Sequence, residues 1–172
     1  PLDAPYPPDM QADFDQLMKG APPLKLFRTV GRNPRVLARM LAGGLLDKGS
    51  ISIRARELMI LRTTALCGAE YEWGVHVAVY GAKAGLSKEE IAATVHGGHA
   101  WSREDAAVIA LADTLHERPT LDNRQWEEAR RNYTDEQLIE LLMLAGLYRA
   151  VSYLCNGLAI EHEAFAPKFP PA

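Results

Sequence analysis

Polar and apolar positions along this chain alternate at helical rather than strand spacing, and turn residues cut the pattern into a succession of helices. Residues 1–8, rich in Pro, predict an extended arm. Asp9 predicts the cap of a helix through Lys19, closed by Gly20 and Pro22-Pro23. Leu24 to Val30 is a short apolar stretch. Asn33-Pro34 pairs a cap with Pro at the first helical position and predicts a helix to about Leu46. After the break at Gly49-Ser50, helices are predicted from Ser52 to Leu66 and from Glu70 to Ala84, with stops at Gly68 and Gly85. Capping boxes at Ser87…Glu90 and Thr134…Gln137 open helices to about Val95 and Glu161. Ser102…Asp105 has the same spacing with Asp in the Glu position, and Asp122 caps a further element to about Asn132.

The fold class that follows is all-α, a single-domain helical bundle of about seven to nine helices. Its domain spans 9–166, between an arm of residues 1–8 and a tail of 167–172. One segment resists. Val75 to Tyr80 alternates and is rich in β-branched residues, and Gly74 and Gly81 weaken a helix there. Local propensity leaves strand and helix both open.

Composition narrows the function classes. The 172 residues are 48% hydrophobic and 24% charged, which suits one globular domain. A net charge of −3 gives no positive field for nucleic acid. The basic groups Arg54/Arg56 and Arg130/Arg131 are short enough to be solvated helix faces. Cys67 and Cys155 form no CxxC, zinc or disulfide pattern, so a reduced, cytoplasmic setting is expected. No apolar run of roughly 18 residues is apparent, so no membrane span is expected. The Pro-rich start lacks the basic flank and apolar core of a signal peptide.

The chemistry concentrates between residues 53 and 80. On a helix from Ser52, Glu57 shares a face with Ile53, Ile60, Leu61 and Thr64. A carboxylate on an apolar stripe must be paired or protonated. On the next helix Glu72, His76 and Tyr80 share a face at i, i+4, i+8. Folding the two helices back at Gly68-Ala69 leaves Glu57 and His76 with an axial mismatch of only about 6 Å. A Glu–His pair in an apolar pocket is a candidate general acid/base. Spacing alone also allows a helical ion pair or a structural His. Tyr71, Trp73, Tyr148, Tyr153 and Asn156 are by default packing residues. His96-Gly-Gly-His99 is a poor metal site, because the Gly-Gly link holds its ligands loosely and no third ligand completes it.

The run R-x-R-E-L-x-I-L-R from Arg54, then A-E-Y-E-W-x-x-H to His76 and A-x-x-A-G-L-S-x-E-E-I to Ile91, resembles the core of the carboxymuconolactone decarboxylase and alkylhydroperoxidase D-like superfamily. The likeness covers roughly residues 50–95 and implies that 70–84 is helical. The peroxidase branch carries E-x11-C-x2-C-x3-H. Aligned on His76, its Glu is Glu57, its two Cys positions are Ala69 and Glu72, and its relay position is Tyr71. Peroxide reduction by a thiol pair is therefore disfavoured.

The cysteine-free decarboxylase branch implies a lyase-type, cofactor-free and metal-free acid/base enzyme of aromatic catabolism. Its substrate would be a small organic acid or lactone, undergoing decarboxylation or isomerisation. His76 would move the proton, Glu57 orient it, and Glu72 act as a second acid/base. Tyr71, Trp73, Arg62 and Tyr80 would contact substrate. A cation for an anionic substrate would come from Arg54, Arg56 or Arg62, with Arg62 the most suggestive. The resemblance also implies a homo-oligomer, whether trimer, hexamer or dimer. The almost wholly apolar stretches 58–66 and 75–86 agree with burial within or between subunits. Two readings compete: a cysteine-dependent peroxidase, and a non-catalytic ligand-binding oligomer.

Overall fold

The computed structural model describes residues 1–171, and among them no strand is found. The helices are α1 (Pro8–Met18), α2 (Lys25–Val30), α3 (Pro34–Ala42), α4 (Ile53–Leu66), α5 (Glu70–His76), α6 (Lys88–His96), α7 (Arg103–Glu117), α8 (Asn123–Arg130) and α9 (Asp135–Gly157). α4 is the central rod, packed against α5, α6, α7 and α9. Leu58, Met59, Ile60 and Leu61 are consecutive and all fully buried, so this helix has no solvent face in its middle turn.

The caps explain most boundaries. Ser52 accepts from Ala55 N. The boxes at Ser87 and Thr134 are closed from both sides, and Asp122 with Gln125 closes a third. Ser102 caps α7, but Asp105 does not return the bond because its carboxylate is held by Arg54. Asp9 is not a cap. α1 begins one residue earlier, at Pro8, whose missing N–H costs nothing at a helix start. α3 stops at Ala42, ahead of Gly43 and Gly44, rather than at Leu46, and α9 stops at Gly157 rather than Glu161. Leu24–Val30, left unassigned by pattern, carries the short α2.

The turn that matters most joins α4 to α5. Gly68 sits at φ +63°, with Gly68 N donating to Ala65 O and Ala69 N to Thr64 O, both 2.9 Å. That is a Schellman closure, which needs a residue free to enter left-handed space. The chain reverses there and α5 lies along α4. Val75–Tyr80 is helical, so tertiary packing overrides its strand-like pattern. From Val77 to Gly81 the backbone widens into a π turn.

One expectation needs correction. α9 is long and apolar enough to cross a membrane by length and composition. Its Leu138, Leu141, Leu144, Tyr148, Val151 and Cys155 are instead buried against the rest of the fold. Beyond α9 the chain runs back across α5. Phe169 N donates to Glu70 Oε1 at 2.9 Å and the Phe169 ring meets Trp73 edge-on.

Candidate active site

Glu57 and His76 meet across the α4–α5 hairpin, and both are buried. Nδ1–H of His76 donates to Glu57 Oε2 at 2.8 Å. The other oxygen, Oε1, accepts from Arg56 Nε at 2.8 Å. Each carboxylate oxygen thus has a charged or chargeable partner, which is what a fully buried acid requires. One turn before His76, Glu72 places Oε1 3.5 Å from Nε2. The imidazole therefore lies between two carboxylates, held tightly on one nitrogen and loosely on the other.

The electrostatics follow from that placement. Burial pushes the imidazole pKa down, but the hydrogen bonds and charges of Glu57 and Glu72 outweigh it and lift the value to about 9. At neutral pH His76 is an imidazolium. Two cations, Arg56 and His76, then balance two carboxylates.

Aromatic rings close the surround. Tyr148 of α9 meets the imidazole edge-on at 5.0 Å between centroids, and Tyr80 lies 5.3 Å away. Burial, reinforced by the Glu72 and Glu57 charges, drives the Tyr148 phenol well above its ordinary pKa. The Arg56 guanidinium lies 5.0 Å from the Tyr80 centroid. Tyr80 belongs to the π turn, which projects it back toward α4.

A thiol is also present where none was expected. Cys155 Sγ lies 3.9 Å from Glu72 Oε2 and donates to it. The account of a site without sulfur is corrected on this point. α9 supplies the thiol from 83 residues away, out of reach of any local motif. Burial and the neighbouring Glu72 push its pKa far up, which suppresses the thiolate and with it nucleophilic reactivity.

Three residues expected at the substrate are engaged elsewhere. Tyr71 accepts from Leu26 N and donates to Glu163 Oε1 at 2.8 Å, tying α2 to the C-terminal segment. Trp73 donates from Nε1 to Thr94 Oγ1 at 2.9 Å in the core. Arg62, the most suggestive cation by sequence, bonds Asp113 at 2.6 Å and the carbonyls of Thr94 and Val95. Arg54 is equally committed, to Asp105, Glu90 and the Gly85 carbonyl. Of the predicted substrate contacts only Tyr80 borders the imidazole. Arg56, one of the three candidate cations, and Tyr148 join the site.

His96 bonds the Pro170 carbonyl, and His99 packs on Trp101. Among the described residues no cluster has the makings of a metal site. One cavity of about 240 Å³ lies beside Arg56 and another of about 440 Å³ between α7 and α9, and neither is lined by His76 itself.

An all-helical fold with a buried Glu–His pair across its central hairpin defines the class. Residues 34–114 match the carboxymuconolactone decarboxylase family. Over that segment, just under half of its length, the chain is similar to this family. The fold is similar to that of an uncharacterized peroxidase-related protein from Silicibacter sp. TM1040, with TM-score 0.85 at 14% identity over 99% of this chain and 93% of the other. It is similar to a peroxidase-related protein from Ralstonia eutropha JMP134, with TM-score 0.80 at 15% identity over 92% and 87%. It is also similar to the debrominase Bmp8, solved with 2,3,4-tribromopyrrole, with TM-score 0.75 at 18% identity over 95% and 90%. No curated protein matches the chain.

Proposed function

We propose that this protein is an enzyme acting on a small molecule by proton transfer, decarboxylating or isomerising a small organic acid or lactone without a cofactor. The observation that carries this reading is the dry Glu57–His76 pair at 2.8 Å with a second carboxylate on the free side of the ring. Glu57 fixes Nδ1, so Nε2–H is the proton that moves. Glu72 holds that proton only weakly at 3.5 Å and serves to return it from water.

For a β,γ-unsaturated lactone acid, the C–C bond to the carboxylate breaks and its electron pair spreads onto the lactone carbonyl. Carbon dioxide leaves. Nε2–H then protonates the γ-carbon, and the neutral imidazole is reprotonated through Glu72. In an isomerisation Glu72 removes one carbon-bound proton while Nε2–H protonates the other end of the conjugated system, and the proton on Glu72 then returns to Nε2. A superfamily fold shared with a debrominase is compatible with small-molecule chemistry.

Turnover of carboxymuconolactone in D₂O, followed by NMR, tests the reading. Deuterium is expected at a ring carbon. The reading is overturned if no lactone acid in a panel exchanges, or if the protein consumes peroxide and loses that activity in Cys67→Ser or Cys155→Ser.

The expected self-association belongs to the same proposal. Ile139, Met143 and Tyr153 are each more than 60% exposed and lie along one stripe of α9, with Gly146 and Ala150 between them. A stripe of that kind is suited to cover by a second copy. Sedimentation velocity of wild type and Met143→Glu checks it: wild type should sediment as an oligomer and the variant should dissociate.

A further inference from the structure

We infer that the cavity between α7 and α9 binds a small neutral molecule, an apolar body of fused-ring size bearing one carbonyl or hydroxyl oxygen. It is a second site, because neither Glu57 nor His76 lines it.

The wall decides the body of the ligand. Ala112 and Leu115 of α7, Pro119 beyond its end, and Leu142, Ala145 and Gly146 of α9 make that wall chiefly carbon. Small residues create the space, and nothing lies within 4 Å of where a Cβ on Gly146 would sit. At about 440 Å³ the volume falls within the range of small-molecule sites, roughly 300–1,000 Å³. Water is a poor occupant, since about fifteen molecules at roughly 30 Å³ each would face a wall with few partners for them. Leu142, Ala145 and Arg149 follow at helical spacing on the α7 side of α9. The cavity therefore shares only Gly146 with the exposed stripe of Ile139, Met143 and Tyr153.

The polar groups decide the rest. Charge comes as one of each sign, Arg149 and Glu117, so the wall has no net preference for an ion. Arg149 is also committed elsewhere. Its Nε donates to Tyr153 Oη at 2.9 Å, and its Nη1 donates to the carbonyls of Leu115 and His116 at 3.4 and 3.2 Å. Those carbonyls end α7 and lack helical partners, so the bonds fix this wall of the cavity in place. Thr63 turns its hydroxyl to Met59 Sδ at 3.6 Å. His116 is the open group. Its Nδ1 is sealed and has no partner. A sealed N–H without an acceptor is the costlier orphan, so the neutral ring carries its proton on Nε2. That N–H is not sealed, and no group among the described residues accepts from it. One free donor on a carbon-lined cavity calls for one oxygen acceptor on an otherwise apolar ligand.

Equilibrium dialysis with 2-acetylnaphthalene, 2-ethylnaphthalene and 2-naphthoate as probes tests this. Wild type should bind the acetyl probe at least about tenfold more tightly than the naphthoate, whose charge loses its hydration and gains no net partner. His116→Phe should weaken the acetyl probe about fivefold to tenfold, the worth of one hydrogen bond, and leave the ethyl probe within about twofold. Gly146→Leu fills the cavity from a helix position where a side chain meets nothing else, so the fold is kept. It should weaken both neutral probes at least about tenfold. The inference is overturned if neither neutral probe binds wild type, if the naphthoate binds as tightly as the acetyl probe, or if Gly146→Leu changes nothing. Equal losses of the acetyl and ethyl probes in His116→Phe overturn it too, because the oxygen then has no donor. So does an affinity that falls as the protein is concentrated, which would make a second copy of the chain the occupant.

Discussion

Two Glu–His pairs flank the seven residues of α5, and each has an N···O separation of 2.8 Å. The inner one is Glu57–His76. The outer one is Glu70–His162, where the C-terminal segment crosses the helix. Their surroundings differ in every respect that matters to chemistry. The inner side chains are 4% exposed or less, whereas the outer pair is 27% and 33% exposed. The inner imidazole has a second carboxylate on its other nitrogen, and its carboxylate has a guanidinium on its other oxygen. The outer carboxylate uses its other oxygen to hold the Phe169 backbone. Distance is the same in both. On the function proposed above, dryness and the surrounding charges suit the inner pair to proton transfer, whereas the outer pair serves as a clasp.

Breaking the inner pair at the ring should have the largest effect. His76→Gln removes the group that moves the proton and should lower turnover of a lactone acid about 10³-fold, within the usual range for a lost general acid. Steady-state kinetics checks it. A loss below about tenfold would place proton transfer elsewhere.

Glu57→Gln should come next, and it shows in stability before it shows in rate. The His76 pKa is raised in the folded protein, to about 9 from an ordinary value near 6.5. The stability that this contributes is fully present below pH 6.5 and is lost as pH rises through 9. The shift corresponds to something on the order of 3 kcal/mol. Urea unfolding of wild type and Glu57→Gln at pH 6 and pH 10 should show the wild-type advantage shrinking by only part of that amount, because Glu72 still raises the imidazole in the variant. A pH-independent gap would mean that Glu57 serves Arg56 rather than the imidazole. Turnover that relies on the imidazolium should decline over the same interval.

The outer face answers to a different kind of perturbation. A Cβ at Gly74 would meet the Pro167 carbonyl at 2.2 Å, a clash with backbone that no rotamer relieves. Gly74→Ala should therefore cost about 2 kcal/mol as the tail lifts from α5. Thermal unfolding measures it. If the tail is only a clasp, the remaining folded protein should keep most of its turnover.

Much of this contrast was legible in the chain and some of it was not. Local signals fixed the helix starts: Ser87 and Thr134 carry complete capping boxes, and Asn33-Pro34 opens α3. The Glu57–His76 meeting followed from two helix registers and one glycine turn, all within twenty residues. What escaped depends on contacts between distant segments. The Cys155 thiol reaches Glu72 across 83 positions, and the tail reaches Glu70 across more than 90. No local rule chooses among Arg54, Arg56 and Arg62, because the choice depends on where Asp105, Asp113 and Leu46 lie. Tyr71 and Trp73, packing residues by default, are expected at the substrate only through the resemblance, and their helix positions instead face Glu163 and Thr94. The π turn left no mark beyond an ambiguous β-branched run.

The smallest expected effect belongs to the outer pair itself. A half-exposed ion pair contributes about 0–1 kcal/mol, because the entropy cost of holding two side chains in register offsets much of the attraction. His162→Gln keeps a donor within reach of Glu70, and Glu70 keeps its bond to the Phe169 N–H. Stability should fall by less than about 1 kcal/mol and turnover should stay within about twofold. This variant is informative because the two histidines sit at one distance from their carboxylates, His76 through Nδ1 and His162 through Nε2, in surroundings of very different burial. A large loss of turnover in His162→Gln would mean that the clasp sets the position of α5, and through it the gap between Nε2 and Glu72. In that case rescue by Glu70→Gln with His162→Gln, a neutral pair of the same shape, would separate a need for geometry from a need for charge.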